Sequence, residues 1–312
     1  MEENSVTESV LILMVIFLNV YGVSEKKNAR VQSVCNIILI LLSKKNLLTC
    51  TMFIQMAYSF AQDELWREIP IDPLILKVSY KAIYYQYPRE EFGPKEQDVV
   101  YTEIGNAITH SYSAQERKFD LIMTEKERKE GRKTISFGLF HAQLGDCYIN
   151  YPSGEQTIVI NMHSAGRYKY TEPVLNIGWK IGKETKEIMG YTCTKATASH
   201  RGRDWTAWFT NDIPMSRGPL YFGGLPGLIM ELSDSKENYY FECNGLEKPR
   251  EATPICFIGR EYVESTRVKT RKTEQICLRN PSAFFAEYGR KVLWAIDEPM
   301  EDPMPYNPVE LK

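Results

Sequence analysis

The chain has 312 residues, of which 43% are hydrophobic, 12% aromatic and 25% charged. These are the proportions of ordinary globular proteins, and they exclude wholesale disorder, collagen-like structure and coiled coils. A net charge of −2 argues against a nucleic-acid-binding protein, which usually has a basic surplus, and a mean hydropathy of −0.35 excludes a polytopic membrane protein.

Residues 1–61 contain three apolar runs, and the last run has the pattern of a cleavable signal peptide. Two lysines precede it, residues 47–58 form the apolar core, and a small-x-small cleavage site ends at Ala61. This pattern predicts an exported protein whose mature chain begins at Gln62. Residues 1–43 then have two explanations, a reading frame that starts too early or a membrane-associated extension.

From Ile75 onward, apolar and polar residues alternate with a period of two, which predicts a series of β-strands. Short polar turns such as Pro152–Gly154 favour antiparallel pairing over crossover helices. The predicted strands cover residues 75–85, 99–111, 146–151, 157–162, 188–194, 205–210, 228–232, 239–243 and 255–264. We therefore expect a mainly β fold (α+β at most) with a large curved antiparallel sheet or half-barrel.

Two segments break this alternation and predict one or two helices packed on the sheet. Residues 113–130 are highly charged and carry apolar side chains at helical spacing. Pro281 is a favourable helix start, and the apolar residues from there to Leu293 are spaced to form a buried face. We expect residues 62–296 to form one domain, followed by a loose, acidic and proline-rich tail over residues 297–312.

Motifs of several enzyme classes are absent from the sequence. It contains no GxGxxG, no P-loop, no GxSxG, no HExxH and no CxxC. We therefore predict no catalytic residue, no metal site and no cofactor. The four histidines are scattered, and such residues are more often structural. His163 is the histidine that a catalytic site would use.

The spacing of the five cysteines after Gln62 does not match a structural zinc site. In an oxidising compartment such cysteines form one or two disulfides and leave a thiol over. Cys193 and Cys243 both lie in predicted strands, and they are the first disulfide pair to test.

Residues 205–231, called the motif corner below, combine five aromatic residues with three prolines and four glycines. Pro226 and Gly227 have the residue types of a type II turn, which would place Gly227 at a positive φ. Gly223 and Gly224 allow close approach of the backbone. The corner either closes a sheet over the core or forms the aromatic rim of a binding cavity. Its candidate binding residues are Trp208, Phe209, Tyr221, Phe222, Gly224, Leu225, Pro226, Gly227, Leu228 and Ile229.

The sequence GLPGLI at Gly224–Ile229 resembles the signature of the GLPGLI family. Tyr191–Ala196 is similar to that family's YxCxKA strand, and Trp208–Thr210 is similar to its W-aromatic-T element. The match is specific between Ile188 and Phe241. It implies an exported envelope protein, in a family commonly encoded near outer-membrane transport genes and without an established reaction. The resemblance therefore supplies no catalytic residue.

These observations favour a non-catalytic protein of the periplasm or outer membrane that binds an apolar ligand, a peptide or an outer-membrane transport partner. The alternative is a periplasmic hydrolase that uses His163 or a free cysteine. A third interpretation is a structural subunit displayed on a sheet edge. We expect neither a nucleic-acid partner nor a mature domain that spans a membrane.

Overall fold

The computed structural model describes residues 66–85, 95–130, 134–137, 144–162, 166–249, 251–287, 291–294 and 306–311. The predicted signal peptide, its cleavage site at Ala61 and the candidate His163 lie outside these ranges. No helix within them is long and apolar enough to cross a membrane.

Fifteen strands and three helices lie in the described ranges. The strands are β1 (Arg67–Tyr85), β2 (Lys95–Gly105), β3 (Thr109–Ser113), β4 (Thr134–Phe137), β5 (Asp146–Ile149), β6 (Glu155–Asn161), β7 (Arg167–Pro173), β8 (Lys180–Ile188), β9 (Tyr191–His200), β10 (Arg203–Thr210), β11 (Leu228–Asp234), β12 (Tyr239–Glu247), β13 (Pro254–Gly259), β14 (Val263–Glu264) and β15 (Lys291–Trp294). The helices are α1 (Ala114–Glu130), α2 (Arg267–Arg279) and α3 (Pro281–Glu287).

Thirteen of the strands form one large sheet, which confirms the prediction of a mainly β fold. The strand order is β14-β7-β6-β5-β3-β2-β1-β12-β11-β10-β9-β8, and β13 pairs with β1 beside this path. All pairs are antiparallel except β14 with β7, so the sheet is mixed. Its two end strands, β14 and β8, do not pair with each other in the described residues, so the sheet is open.

β1 organises the sheet because it pairs with three other strands. Residues 67–73 pair with β13, residues 77–84 pair with β12, and β2 runs along the other edge. Every second residue from Leu76 to Tyr84 is buried, as the period of two predicts. The predicted strand begins only at Ile75, because Pro70 and Pro73 interrupt the first half of β1.

Several predicted elements have different boundaries in the structure, among them the predicted strands 188–194 and 255–264, which each span parts of two strands. The predicted strand 99–111 is two strands, because the chain reverses between Gly105 and Ile108, where the Gly105 amide donates to the Ile108 carbonyl over 2.9 Å. The helix predicted to reach Leu293 is described over Pro281–Glu287, and Lys291–Trp294 form β15, parallel to β4.

Other elements lie outside the predicted set because their sequences lack an apolar period. The buried positions of α2 include Thr270 and Glu274, so this helix has no continuous apolar stripe. In β8 most side chains are exposed, so apolar and polar residues do not alternate. The buried face of α2 is partly polar, and β8 buries almost no side chain. Neither sequence therefore has the apolar period on which the predictions depend.

The expectation of a loose tail is wrong for residues 306–311, which pack against the sheet. Val309 and Glu310 are buried. The buried Arg203 donates to the carbonyl oxygens of Val309 (3.1 Å) and Pro308 (2.6 Å). A composition rich in proline and acid predicts a solvated chain, but it contains no information about distant arginines that can bind its carbonyl and carboxylate groups.

Candidate functional site

The apolar side chains of the motif corner belong to the core of the domain. Phe209, Tyr221, Phe222, Leu225, Leu228 and Ile229 are all buried, whereas Gly224 and Pro226 are exposed. The Trp205 and Phe222 rings lie 4.6 Å apart, and the Tyr80 hydroxyl donates to the Ile229 carbonyl over 2.8 Å. The corner therefore contributes its apolar side chains to the packed interior of the domain.

Gly227 is required by a close approach of two backbone segments, and the predicted type II turn with a positive φ at Gly227 is wrong. Within Gly224–Ile229 the positive φ is at Gly224, at 88°. A Cβ atom on Gly227 would lie 1.9 Å from the Thr210 carbonyl oxygen, which no packing adjustment tolerates. A Cβ on Gly223 would lie 2.8 Å from the Ser216 carbonyl, so the close approach expected there is found.

Trp208 is the one large aromatic candidate in the corner that is only half-buried. The Nζ atoms of Lys186 and Lys195 lie 4.5 and 5.9 Å from its ring centroid. Each lysine is also paired with a carboxylate, at 2.7 Å with Glu231 and 2.9 Å with Glu184. We call this group of five residues the lysine ladder. Its cations already have partners within the sheet.

The predicted disulfide between Cys193 and Cys243 is wrong, because both cysteines are free and buried. Strands β10 and β11 separate them, and neighbouring strands are about 4.8 Å apart. Two Cα atoms joined by a disulfide lie within about 7 Å. Burial raises the pKa of both thiols to about 11. A reactive cysteine needs the opposite shift.

A cleft lined by charged and aromatic side chains lies beside α1, and its empty space of about 480 Å³ includes the open solvent at its mouth. Arg117 and Asp120 are three residues apart on α1 and therefore share a face of the helix. Other lining residues come from β3, β5, β6, β7 and the turn after β13. The lining of this α1 cleft includes Trp66, Tyr112, Arg117, Asp120, Arg167 and Arg260.

Asp120 holds two buried arginines in place. Its Oδ1 atom accepts from Arg167 Nη2 at 2.6 Å and from Asn161 Nδ2 at 2.9 Å. Its Oδ2 atom accepts from Arg260 Nη1 at 2.5 Å, and Arg260 also donates to the Thr124 hydroxyl at 2.7 Å. The guanidinium groups of Arg167 and Arg260 therefore already have strong acceptors.

Arg117 is held mainly by aromatic rings. Its guanidinium carbon lies 4.7 Å from the Tyr112 ring centroid and 5.3 Å from that of Trp66. Its ion pair with the exposed Glu68 is long, at 3.9 Å. The buried Nη1 atom has no acceptor among the described residues. A buried donor without an acceptor costs about 1–3 kcal/mol, which a bound acceptor would recover.

His110 lies behind the cleft, buried between two carboxylates. Its Nε2 atom lies 2.5 Å from Asp146 Oδ1 and its Nδ1 atom lies 3.4 Å from Glu103 Oε2. Burial lowers the pKa of His110, but the two carboxylates together raise it above its usual value. Asp146 already holds the Nε2 atom, and the raised pKa favours the protonated ring, so His110 is poorly suited to act as a general base.

Glu116, at the start of α1, lines the same cleft. Burial raises its pKa to about 8, although its Oε1 atom accepts from the Leu144 amide at 2.8 Å. The carboxyl group is therefore protonated at neutral pH. Three arginines then face two charged carboxylates, Asp120 and Asp146, and the lining has a net charge of about +1.

Sequence reasoning does not find this cleft. Its arginines at positions 117, 167 and 260 are far apart in sequence, and they match no motif of fixed spacing. The one available signal is the segment 113–130, whose charged residues recur at helical spacing. Within the described residues, no group of three or more His, Cys, Asp or Glu side chains is placed to hold a metal ion.

Comparisons with known proteins leave the cleft unassigned. Residues 200–231 match a family described as a protein of unknown function (Porph_ging), and this segment includes Gly224–Ile229 but no residue of the cleft lining. No curated protein matches the chain. Two crystal forms of PNGF-II, in space groups C2 and P21, give TM-scores of 0.43 and 0.44 at 15% and 16% identity. These matches cover 64% of this chain and 32% and 33% of PNGF-II, so the chain spans about a third of that protein's length.

Proposed function

We propose that the protein is an exported, non-catalytic binding protein of the cell envelope, and that its ligand occupies the α1 cleft. The observation that carries this proposal is the state of Arg117. Aromatic rings fix its guanidinium group, yet its Nη1 donor has no acceptor among the described residues. A positioned donor to which no described residue supplies an acceptor is what a binding site for a polar ligand requires.

The lining of the cleft favours a peptide over an apolar ligand. Its three arginines and two charged carboxylates suit a ligand with both donors and acceptors, which every peptide backbone supplies. The rings of Trp66 and Tyr112 offer surface to side chains. An exposed segment of an outer-membrane transport partner would present the same groups. The apolar surface of the motif corner is buried in the core.

The chemistry of the described side chains supports binding over hydrolysis. Burial raises the pKa of the thiols of all five described cysteines, so none is an activated nucleophile. The Nε2 atom of His110 is held by Asp146 at 2.5 Å, and the raised pKa of the ring disfavours a role as general base. The protonated Glu116 could donate a proton, but a hydrolase also needs an activated nucleophile or water.

Peptide binding is tested by matched alanine substitutions at Trp66 and Trp208. Each tryptophan is half-buried and lies beside two cations, but only Trp66 lines the cleft. The purified protein is mixed with a pool of random hexapeptides, and the retained peptides are identified by mass spectrometry after filtration. We expect wild type and Trp208→Ala to retain the same peptides, and Trp66→Ala to retain about ten-fold less.

Thermal unfolding of both variants provides the control for folding. Failure of the wild type to retain any peptide, or equal losses in the two variants, would contradict the proposal. Cleaved peptides in the filtrate would favour the hydrolase instead.

Export is supported by the signal-peptide pattern and by the family resemblance. Sequencing the N-terminus of the protein purified from its own cell envelope tests it. A first residue of Gln62 is expected, whereas an intact Met1 would contradict cleavage at Ala61.

A further inference from the structure

We infer that Arg117 is the recognition residue for a carboxylate group of the ligand. This inference rests on the proposed function, because it assigns a chemical class to the ligand of the same cleft. The carboxylate can come from the C-terminus of a peptide or from an acidic side chain.

Arg117 is the cation of the lining that retains the capacity to bind an anion. Arg167 and Arg260 both donate to Asp120, at 2.6 and 2.5 Å. Among the described residues, the ion pair of Arg117 is the 3.9 Å contact with Glu68, which is largely exposed to solvent, and Asp146 acts on Arg117 through its charge without a hydrogen bond. A ligand carboxylate at Arg117 would therefore bind without displacing a strong ion pair.

Aromatic contacts fix the orientation of the Arg117 guanidinium. The Tyr112 ring lies 4.7 Å from it, and the Tyr112 hydroxyl is in turn fixed by donation to Glu103 over 3.0 Å. The Trp66 ring centroid lies 5.3 Å from the guanidinium carbon of Arg117 and 4.6 Å from that of Arg260. A fixed planar fork of N–H donors matches the planar carboxylate group, which accepts two parallel hydrogen bonds.

The charge of the lining suits an anion with a single negative charge. Glu116 is neutral at pH 7 because burial and the nearby Asp98 and Glu274 disfavour its charged form, against the backbone amides of Leu144 and Gly145. The remaining net charge of about +1 is balanced by one carboxylate. A phosphate dianion would exceed this charge in a cleft that already holds Asp120 and Asp146.

Benzoate and benzamide test the inference, because they have nearly the same shape and differ in charge. The readout is the NMR signal of the Trp66 indole N–H in the purified protein, and the Trp208 indole reports on a region outside the cleft. We expect benzoate to shift the Trp66 signal saturably with an affinity at least about ten-fold higher than that of benzamide, and to leave Trp208 unmoved.

Two substitutions of Arg117 assign the effect to its guanidinium group. Arg117→Gln removes the charge and should abolish the preference for benzoate, whereas Arg117→Lys keeps the charge without the fork and should retain part of it. An unchanged Trp208 signal shows that each variant is folded. A preference for benzoate that survives in Arg117→Gln would overturn the inference, as would equal binding of benzoate and benzamide by the wild type.

Three dipeptides identify the source of the carboxylate. Acetyl-Gln-Tyr with a free C-terminus carries a terminal carboxylate, acetyl-Glu-Tyr-amide carries one on a side chain, and acetyl-Gln-Tyr-amide carries none. Stronger binding of either charged dipeptide, lost in Arg117→Gln, supports the inference and names the source. Equal binding of all three overturns the inference and leaves the proposed function standing. A preference for benzoate without binding of any dipeptide supports the Arg117 site and contradicts the peptide ligand.

Discussion

The α1 cleft and the lysine ladder each place a half-buried tryptophan beside two cations, but they differ in how the charges are satisfied. In the ladder, Lys186 and Lys195 both have carboxylate partners within 2.9 Å. In the cleft, Trp66 contacts Arg117, whose Nη1 donor has no acceptor among the described residues. The cations of the lysine ladder are therefore paired within the sheet, whereas the cleft has a donor available to a ligand.

This difference shows that the most distinctive sequence need not form the binding site. The motif corner has the most unusual composition in the chain, yet most of its aromatic side chains fill the core, and Gly223 and Gly227 allow close packing of the backbone. The cleft is built from ordinary charged and aromatic residues that are distant in sequence. A rigid corner and a positioned guanidinium are therefore separate properties, and substitutions can test them separately.

The largest expected effect is that of Gly227→Ala in the motif corner. The new Cβ would lie 1.9 Å from the Thr210 carbonyl oxygen, so the backbone must shift, and we expect a loss of about 3 kcal/mol of unfolding free energy. Gly182→Ala is the control, because its Cβ would lie 3.4 Å from the backbone and its effect should stay below about 1 kcal/mol. Denaturant unfolding measures the free energy of unfolding of both variants. Equal losses would contradict the close approach of the backbone at Gly227.

Asp120→Asn should destabilise the protein by about 3 kcal/mol, because it leaves the buried Arg167 and Arg260 without their shared carboxylate. The matched change in the ladder, Glu231→Gln, removes the partner of the more exposed Lys186 and should cost less than about 1 kcal/mol. Denaturant unfolding at pH 7 compares the two variants. A larger loss of unfolding free energy in Glu231→Gln than in Asp120→Asn would contradict the assignment of Asp120 to a buried ion pair and Glu231 to a surface one.

Glu116→Gln should change how stability depends on pH. Folding takes up a proton at Glu116 between the ordinary pKa of 4.5 and the raised pKa of about 8, so its contribution to stability falls as pH rises through this window. The slope is at most about 1.4 kcal/mol per pH unit, the value for one proton. Glutamine cannot titrate but can still accept from the Leu144 amide. Unfolding free energies at pH 5, 6.5 and 8 should therefore fall more steeply in the wild type than in the variant, and parallel curves would contradict the raised pKa.

The sequence predicts those parts of the fold that depend on local patterns. Alternation of side chains from Leu76 to Tyr84 identifies the centre of β1, and turn residues separate most of the later strands. The residue types Pro226 and Gly227 also identify Gly227 as a position where a side chain is not tolerated. The cause they indicate is wrong, because glycine is needed there for the close approach to Thr210 and not for a positive φ.

The cleft depends on long-range pairing, which no local pattern reports. Arg167 begins β7, Arg260 follows β13, and Asp120 lies on α1. Pairing of β14 with β7 and of β13 with β1 brings these residues together. The same limit explains the incorrect Cys193–Cys243 disulfide, since the sequence places both residues in strands without giving the strand order.

The most direct measurement of the central claim is an NMR titration of the wild-type protein with the hexapeptide pool, observed at the tryptophan indole N–H signals. Trp66 lines the α1 cleft, and Trp208 belongs to the motif corner and the lysine ladder. If the cleft is the binding site, the Trp66 signal shifts in a saturable manner and the Trp208 signal stays in place. A shift of Trp208 with Trp66 unmoved would place binding at the motif corner and contradict this account.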